Sequence, residues 1–211
     1  MPSKDPRKHV HRLKQVRFFD RFTRDRERIP PGQFVTRKFP VLTYGEAPEI
    51  APEAWRLEVF GAVEQPLVLD WPGLLALPRK TIRVDIHCVT RWSIMGTEWE
   101  GVPFQAIVER VQPLPNARFV MQHAYGGYTT NVPLDDLLRE EVLLAYRLEG
   151  QPIPIPHGGP VRMLVPHLYF WKSAKWIKGL EFMTEDRPGF WEQHGYHMHG
   201  DPWKEERFSG D

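Results

Sequence analysis

The sequence predicts an α+β fold in which strands dominate, arranged as mixed sheets with short helices. Proline accounts for 21 of the 211 residues, roughly twice its usual share of about 5%, and it disfavours long helices and central strands. Several segments alternate apolar and polar residues with period two, whereas two short segments show a helical period. Strands and helices do not alternate regularly, so a parallel βαβ sheet is not expected.

The first predicted strands lie in the N-terminal half of the chain. Residues 56–60 alternate apolar and polar side chains and stop at Gly61, and residues 67–69 form a second short strand after a proline. Residues 81–88 show the clearest alternation, with polar side chains on one face and apolar side chains on the other. Cys88 therefore lies where a strand ends, on its apolar face.

Two segments are predicted to be short helices. After Pro103, apolar residues recur at positions i, i+3, i+4 and i+7 over residues 104–111. Residues 133–138 carry two acidic side chains near the N-terminal end of a second helix, where the helix dipole favours negative charge. Further strands are predicted at residues 142–148, 161–165 and 175–183.

Length and charge limit the classes of function. We interpret residues 1–33, which are rich in Arg, Lys and Asp, as a charged N-terminal extension of one domain formed by residues 34–211. Lys and Arg total 28 against 27 Asp and Glu, so a nucleic-acid-binding surface is not expected. The sequence shows no apolar run of about 18 residues and no signal peptide. We therefore expect no membrane span and a cytoplasmic location.

Cys88 is the one cysteine of the chain, which excludes an intramolecular disulfide and a site built from several thiolates. It can be an inert buried side chain, as isolated cysteines often are. Arg91, and His87 if protonated, favour the thiolate, which attacks electrophiles or binds soft metals. A Cys–His hydrolase would need its base elsewhere, because His87 points to the opposite face of the strand.

A second candidate site combines two segments rich in hydrogen-bond donors. His157-Gly-Gly-Pro-Val-Arg162 lets backbone N–H groups approach a ligand, and Lys172 and Lys175 follow after a short strand. Together with Arg162 these lysines suit a phosphate group. The alternative is a glycine turn with surface lysines. Neither the Walker loop nor the dinucleotide-binding fingerprint is present.

Two further segments carry histidines and aromatic residues. Residues 123–131 place His123 before a Gly-Gly turn and are typical of a hairpin. Residues 189–199 contain three histidines, but a zinc site would need further ligands. Aromatic-rich loops of this kind more often line a pocket or cover a core.

Over residues 34–200 the chain resembles the sulfite oxidase-type molybdopterin domain, which sulfite oxidases, plant-type nitrate reductases and bacterial sulfoxide-reducing enzymes share. The resemblance rests on four motifs in the same order. These are Trp55-Arg-Leu-Glu-Val-Phe-Gly61, Cys88 followed by Trp92-Ser93, His157-Gly-Gly-Pro-Val-Arg162 and Lys172-Ser-Ala-Lys-Trp176.

The resemblance implies a molybdenum–molybdopterin cofactor whose metal is bound by the thiolate of Cys88. A soft thiolate suits this metal, and the pterin supplies the other sulfur ligands. It also implies catalytic side chains that orient the substrate by charge-assisted hydrogen bonds, and a set of cofactor contacts. The implied catalytic residues besides Cys88 are Arg37, Arg91 and Tyr196, and the implied cofactor contacts are His123, His157, Arg162, Ser173, Ala174 and Lys175.

One departure from the family bears on the substrate. Ser93 stands where sulfite oxidases carry a substrate-binding arginine, so the pattern around Cys88 is nearer to the sulfoxide-reducing branch. The sequence thus predicts transfer of an oxygen atom to or from a small oxyanion or sulfoxide. Because we expect neither a dimerisation domain nor a haem domain, a separate electron-transfer partner is implied. The alternative is a non-catalytic subunit that binds pterin or an anion within a larger redox complex.

Overall fold

The computed structural model describes residues 26–211, so most of the predicted N-terminal extension lies outside the described residues. Eleven strands and four α-helices are present in this part of the chain, together with short 3₁₀ turns. The strands are β1 (Phe34–Val35), β2 (Arg56–Gly61), β3 (Leu67–Asp70), β4 (Lys80–His87), β5 (Trp92–Pro103), β6 (Phe119–Ala124), β7 (Thr129–Pro133), β8 (Leu143–Leu148), β9 (Gln151–Pro152), β10 (Arg162–Leu164) and β11 (Ile177–Met183). The helices are α1 (Trp71–Leu75), α2 (Phe104–Val111), α3 (Leu134–Leu137) and α4 (Phe190–Gln193).

The strands form two mixed sheets. In the six-stranded sheet the order is β1-β5-β8-β10, with β4 paired to β5 and β9 paired to β8. In the five-stranded sheet the order is β3-β2-β11-β6-β7. The strands β2 and β11 are parallel, with Val59 opposite Leu180, so this pair joins two distant parts of the chain.

The main core lies between elements of both sheets. Helix α2 is amphipathic as predicted, and it buries Phe104, Ile107 and Val111 completely. These side chains belong to one cluster with residues of β2, β6, β8 and β11. A second cluster, which includes Trp99 and Tyr169, also contains Cys88. Burial of large side chains of this kind contributes roughly 1.5–3 kcal/mol each.

The predicted fold class is confirmed, since strands dominate and the helices are short. The predicted strand at residues 56–60, the helix at residues 104–111 and the hairpin around the Gly-Gly turn are all present. The sequence does not predict the long strand β5, because its two glycines interrupt the alternation. Gly101 is required there, since a Cβ at this position would collide with the Leu144 carbonyl oxygen.

The boundary between residues 33 and 34 stays a prediction. The last residues of the predicted extension contact the domain. Arg28 forms an ion pair with Asp85 at 2.5 Å, and the Gln33 side-chain amide donates to the Cys88 carbonyl at 3.1 Å. Gln33 therefore lies against the turn that carries the cysteine.

Candidate active site

A cavity of about 270 Å³ lies where the two sheets and their connecting loops meet. Six of the ten site residues predicted from the sequence line it, and their catalytic and binding roles stay predictions. The other lining residues are mostly aromatic or apolar. The six are Cys88, His157, Arg162, Ser173, Lys175 and Tyr196.

Cys88 reaches the cavity because β4 ends in a tight turn. Its N–H donates to the Trp92 carbonyl at 2.9 Å, and the Arg91 N–H donates to the Cys88 carbonyl at 2.9 Å. The thiol sulfur lies 3.1 Å from the Thr90 hydroxyl. Burial raises the pKa of the Cys88 thiol, although the Thr90 hydrogen bond, Arg207 and Lys175 oppose this shift. The isolated thiol is therefore protonated at neutral pH, and a bound metal cation is the kind of partner that removes its proton.

The nearest histidine in sequence does not serve as a base for this thiol. His87 lies on the opposite face of β4, where its Nδ1 is 2.9 Å from the Ser93 hydroxyl. Burial lowers the pKa of His87 to about 4, so its ring is neutral. The position of His87 therefore gives no support to a Cys–His hydrolase in which this histidine is the base.

Three side chains, His157, Arg162 and Lys175, form what we call the cationic wall. The Arg162 guanidinium is buried and donates to the carbonyls of His157 at 2.6 Å and Ser173 at 2.9 Å. It also lies 4.1 Å above the centre of the Phe170 ring. Burial lowers the pKa of Arg162 to about 9, so the group keeps its charge at neutral pH.

Lys175 holds a chain segment over the cavity. Its ammonium group donates to the Leu42 carbonyl at 2.9 Å, the Thr43 hydroxyl at 3.0 Å and the Pro156 carbonyl at 2.7 Å. We call residues 38–44 the strap; it contains no helix or strand. Burial, and then the neighbouring Arg162, lowers the pKa of Lys175 to about 7.

No carboxylate of residues 26–211 pairs with Arg162 or Lys175. Buried cations usually have an anionic partner, because desolvation of an unpaired charge is costly. The close turn at Gly158 (φ +107) brings the main chain against Lys175, since a Cβ there would lie 2.9 Å from the Lys175 Cβ. The cationic wall is therefore suited to an anionic ligand.

The segment between Arg162 and Lys175 is fixed from behind by Gln122, which sequence reasoning missed. Its amide donates to the Lys172 carbonyl at 2.8 Å and accepts from the Ala174 N–H at 2.9 Å. The Ser173 hydroxyl accepts from the Val165 N–H at 2.8 Å. Ala174 is fully buried and does not line the cavity.

The structure places Lys172 away from the cavity, which corrects the expectation that it suits a phosphate. Its ammonium group is fully buried and pairs with Glu192 at 2.6 Å. The same carboxylate oxygen accepts from the Trp171 indole at 2.8 Å and the Thr130 hydroxyl at 2.9 Å. This pair joins α4 to the turn that carries Trp171.

Four aromatic side chains, Tyr44, Phe190, Trp191 and Tyr196, form what we call the aromatic wall. Tyr196 stacks on Trp191 with ring centres 4.9 Å apart, and the ring centre of Tyr44 lies 4.9 Å from Phe190 and 6.2 Å from Trp191. Burial, and then Cys88, raises the pKa of Tyr196 well above its ordinary value. Its hydroxyl is therefore a hydrogen-bond donor throughout the neutral range.

Besides Ala174, three predicted site residues lie outside the cavity lining. Arg37 and Arg91 are exposed, and Arg91 sits in the turn with a positive φ of 76° that directs it toward Gly32. His123 lies on β6, where its Nε2 is 3.0 Å from a Glu181 carboxylate oxygen. The structure does not bring these side chains to Cys88.

Charged side chains hold the C-terminal segment that carries Tyr196 against the rest of the domain. His199 lies between two carboxylates, with Asp136 at 2.9 Å and Glu206 at 2.9 Å, and these neighbours raise the pKa of His199. Arg207 donates to the Val89 carbonyl at 2.7 Å, next to the cysteine. Two parts of the cavity, Tyr196 and the cysteine turn, are thus connected through this segment.

Comparison with known proteins places these features in one family. The model of the oxidoreductase molybdopterin binding domain matches residues 44–191. An uncharacterized oxidoreductase of Bacillus subtilis, YuiH, is 48% identical, and the match covers 87% of this chain and 93% of the relative. The catalytic subunit of a protein-methionine-sulfoxide reductase of Burkholderia mallei, MsrP, is 30% identical over 72% of this chain and 50% of the relative.

A solved structure shares the fold. The sulfane dehydrogenase SoxCD of Paracoccus pantotrophus matches with a TM-score of 0.60 and 23% identity, covering 66% of this chain and 40% of that chain. The chain thus spans half or less of these two larger relatives, and nearly all of the Bacillus relative. None of the helices within residues 26–211 is long and apolar enough to cross a membrane.

Proposed function

Because the chain belongs to the oxidoreductase molybdopterin binding domain family, we propose that it reduces a neutral sulfoxide at a molybdenum–pterin centre held by Cys88. It is a molybdopterin oxidoreductase of the sulfite oxidase type. One observation carries the proposal. A buried thiol and two cations without carboxylate partners among residues 26–211 face one cavity, and Tyr196 faces the same cavity.

The side chains that line the cavity suit a molybdenum–pterin cofactor. A thiolate is a suitable ligand for a soft metal, and it forms here when the metal replaces the thiol proton. Arg162 and Lys175 line the cavity and would supply the positive charge that an anionic pterin phosphate requires. His157 and Ser173 line the same cavity, and Gln122 holds this segment in place. When bound, the molybdenum–pterin cofactor would provide the redox chemistry, in which one oxygen atom and two electrons are exchanged with the substrate.

The side chains of the cavity favour a neutral substrate over sulfite. Ser93 is fully buried against His87, and Arg37 and Arg91 are exposed outside the lining. No arginine besides Arg162 lines the cavity within the described part of the chain. An oxyanion would therefore meet only Arg162 and Lys175, which we assign to cofactor binding, and no further arginine or lysine of the cavity lining within residues 26–211.

Tyr196 orients the substrate in this proposal. Its phenol stays protonated, so it donates a hydrogen bond to the sulfoxide oxygen and stabilises negative charge that develops there. The reaction converts a sulfoxide, two electrons and two protons into a thioether and water. We propose that the electrons come from a separate electron-transfer protein.

The experiment is to purify the protein from cells that make the pterin, and to measure its molybdenum content and turnover. We expect about one metal atom per chain, and oxidation of a reduced viologen dye by organic sulfoxides but not reduction of ferricyanide by sulfite. Metal-loaded protein that oxidises sulfite and ignores every sulfoxide would refute the proposed direction. Metal-loaded protein without any turnover would favour the non-catalytic subunit.

A further inference from the structure

We propose that Tyr44, on the strap, is a specificity-determining residue that binds an apolar substituent of the substrate together with Phe190 and Trp191. The inference rests on the proposed function and names its substrate class. The class is a neutral sulfoxide with one small group and one apolar arm, such as an aryl or thioether-derived group.

Tyr44 lies at the boundary between the cavity and solvent. It lines the cavity, and 56% of its surface is nevertheless exposed. Phe190 and Trp191 lie behind it, with their ring centres 5.1 Å apart and their planes at 82°. The three rings thus present both faces and edges to a ligand. Aromatic rings in such arrangements bind other rings and sulfur-containing groups favourably.

The position of Tyr44 is fixed by its neighbours in the strap. Lys175 binds the Leu42 carbonyl and the Thr43 hydroxyl, the two residues directly before it. Earlier in the strap, Phe39 packs against His157 with ring centres 4.5 Å apart. The ring of Tyr44 is therefore positioned before a ligand arrives, and preorganisation lowers the entropy cost of binding.

The surroundings of the three rings favour an apolar group over a charged one. Arg162 and Lys175 are the charged side chains of the cavity lining within residues 26–211, and both donate to oxygen atoms of the protein. The His194 ring packs against Phe190 at 4.6 Å, and its Nδ1 lies 2.6 Å from the Phe190 carbonyl. Because Arg162 and Lys175 are assigned above to the cofactor phosphate, a charged arm would lose hydration beside the three rings without gaining a further partner.

The ring of Tyr44, not its hydroxyl, makes these contacts. Its hydroxyl has no hydrogen-bond partner among the described residues, whereas its ring packs on both neighbours. Tyr44→Phe therefore keeps the aromatic contact with the substrate, and Tyr44→Ala removes that contact. The expected loss for one aromatic contact is about three- to tenfold in affinity.

The test compares an apolar with a small sulfoxide on the metal-loaded enzyme. We expect Tyr44→Ala to raise KM for methyl p-tolyl sulfoxide by about three- to tenfold with kcat unchanged, and to leave the kinetics of dimethyl sulfoxide unaltered. Tyr44→Phe keeps wild-type values. The matched control is Phe60→Ala, because Phe60 is an exposed aromatic residue of the five-stranded sheet and lies outside the cavity lining. We expect this control to change the KM of neither sulfoxide.

A second measurement separates this inference from the proposed function. Methyl phenyl sulfone is not a sulfoxide, so its binding, followed by tryptophan fluorescence, requires no turnover. Weaker sulfone binding in Tyr44→Ala but not in Phe60→Ala supports the aromatic contact, whether or not sulfoxides are reduced. If this result is obtained and no sulfoxide is reduced, the proposed function is wrong while the role of Tyr44 in binding still holds. Equal sulfone binding and equal KM values in wild type and Tyr44→Ala would overturn the inference.

Discussion

The cationic wall and the aromatic wall face the same cavity, but different forces hold them. Arg162 and Lys175 each donate several hydrogen bonds to oxygen atoms of the surrounding loops, so their positions are set by directional contacts. The main chain before Tyr44 is bound by Lys175, but the side chains of Tyr44 and Trp191 are held by ring packing. Directional bonds tolerate little displacement, whereas apolar packing tolerates changes of shape. We infer that the first wall suits one fixed ligand and the second suits a range of substituents.

The largest expected effect comes from the residue that interacts with both walls. Cys88 interacts electrostatically with Lys175 and with Tyr196. Cys88→Ser replaces the soft ligand with a hard hydroxyl, so we expect turnover to fall by more than about a hundredfold and the molybdenum content to change. The melting temperature should stay close to that of wild type, because the hydroxyl fits the same space. A fully loaded Cys88→Ser protein with normal turnover would remove the cysteine from the mechanism.

The next effect tests whether directional bonds maintain the cationic wall. Arg162→Lys keeps a charge but loses the fork that reaches the His157 and Ser173 carbonyls. We expect the free energy of unfolding to fall by about 3 kcal/mol, because buried acceptors lose their donor, and the protein to retain less cofactor. Urea unfolding measures the first effect and metal analysis the second.

The matched control for this variant is Arg147→Lys. Arg147 is exposed and donates to the Gly150 carbonyl at 3.3 Å. Its replacement should change the free energy of unfolding by less than about 0.5 kcal/mol. If both variants lost the same free energy of unfolding, the buried hydrogen bonds of Arg162 would contribute no more to stability than the exposed hydrogen bond of Arg147.

The smallest expected effect is a change with pH in the charge of the cationic wall. It is measured as the affinity of the cofactor-free protein for sulfate. Lys175 has a pKa of about 7, so it is mostly charged at pH 6 and mostly neutral at pH 8. Because the charged form binds the anion, sulfate affinity should fall about tenfold between these pH values. Burial lowers the pKa of His157 below its ordinary value, and the pKa of Arg162 is about 9, so Lys175 dominates this change.

Lys175→Arg is the control for the sulfate measurement, since an arginine side chain stays charged across this range. Its sulfate affinity should vary little between pH 6 and pH 8. A decline of the same size in Lys175→Arg would assign the pH dependence to another group. Isothermal titration calorimetry at constant ionic strength gives the affinities.

The cationic wall could be predicted from the sequence better than the aromatic wall. Glycines and basic residues in the segments of His157 and Lys175 form a recognisable pattern, and the alternation before Cys88 located the end of its strand. The strap has no periodicity, so nothing in it indicates that Tyr44 and Phe39 meet residues more than a hundred positions away. Contacts of this kind follow from tertiary packing alone.

The three outlying residues illustrate a second limit of sequence reasoning. Arg91 follows the cysteine closely in sequence, yet the positive φ of its turn directs it outward. Proximity in sequence therefore did not predict proximity to the thiol. His123 lies on β6, where its pairing with Glu181 holds the ring outside the cavity lining. Arg37 precedes the strap and is exposed.

The parallel pairing of β2 with β11 also has a consequence for biosynthesis. Residues 56–61 leave the ribosome long before residues 177–183, with which they pair. Until then, one edge of β2 lacks its neighbour and the core cluster cannot close, which is a state prone to association with other chains. Maturation of this domain is thus a late event, and a nascent chain stalled before residue 177 would depend on chaperones.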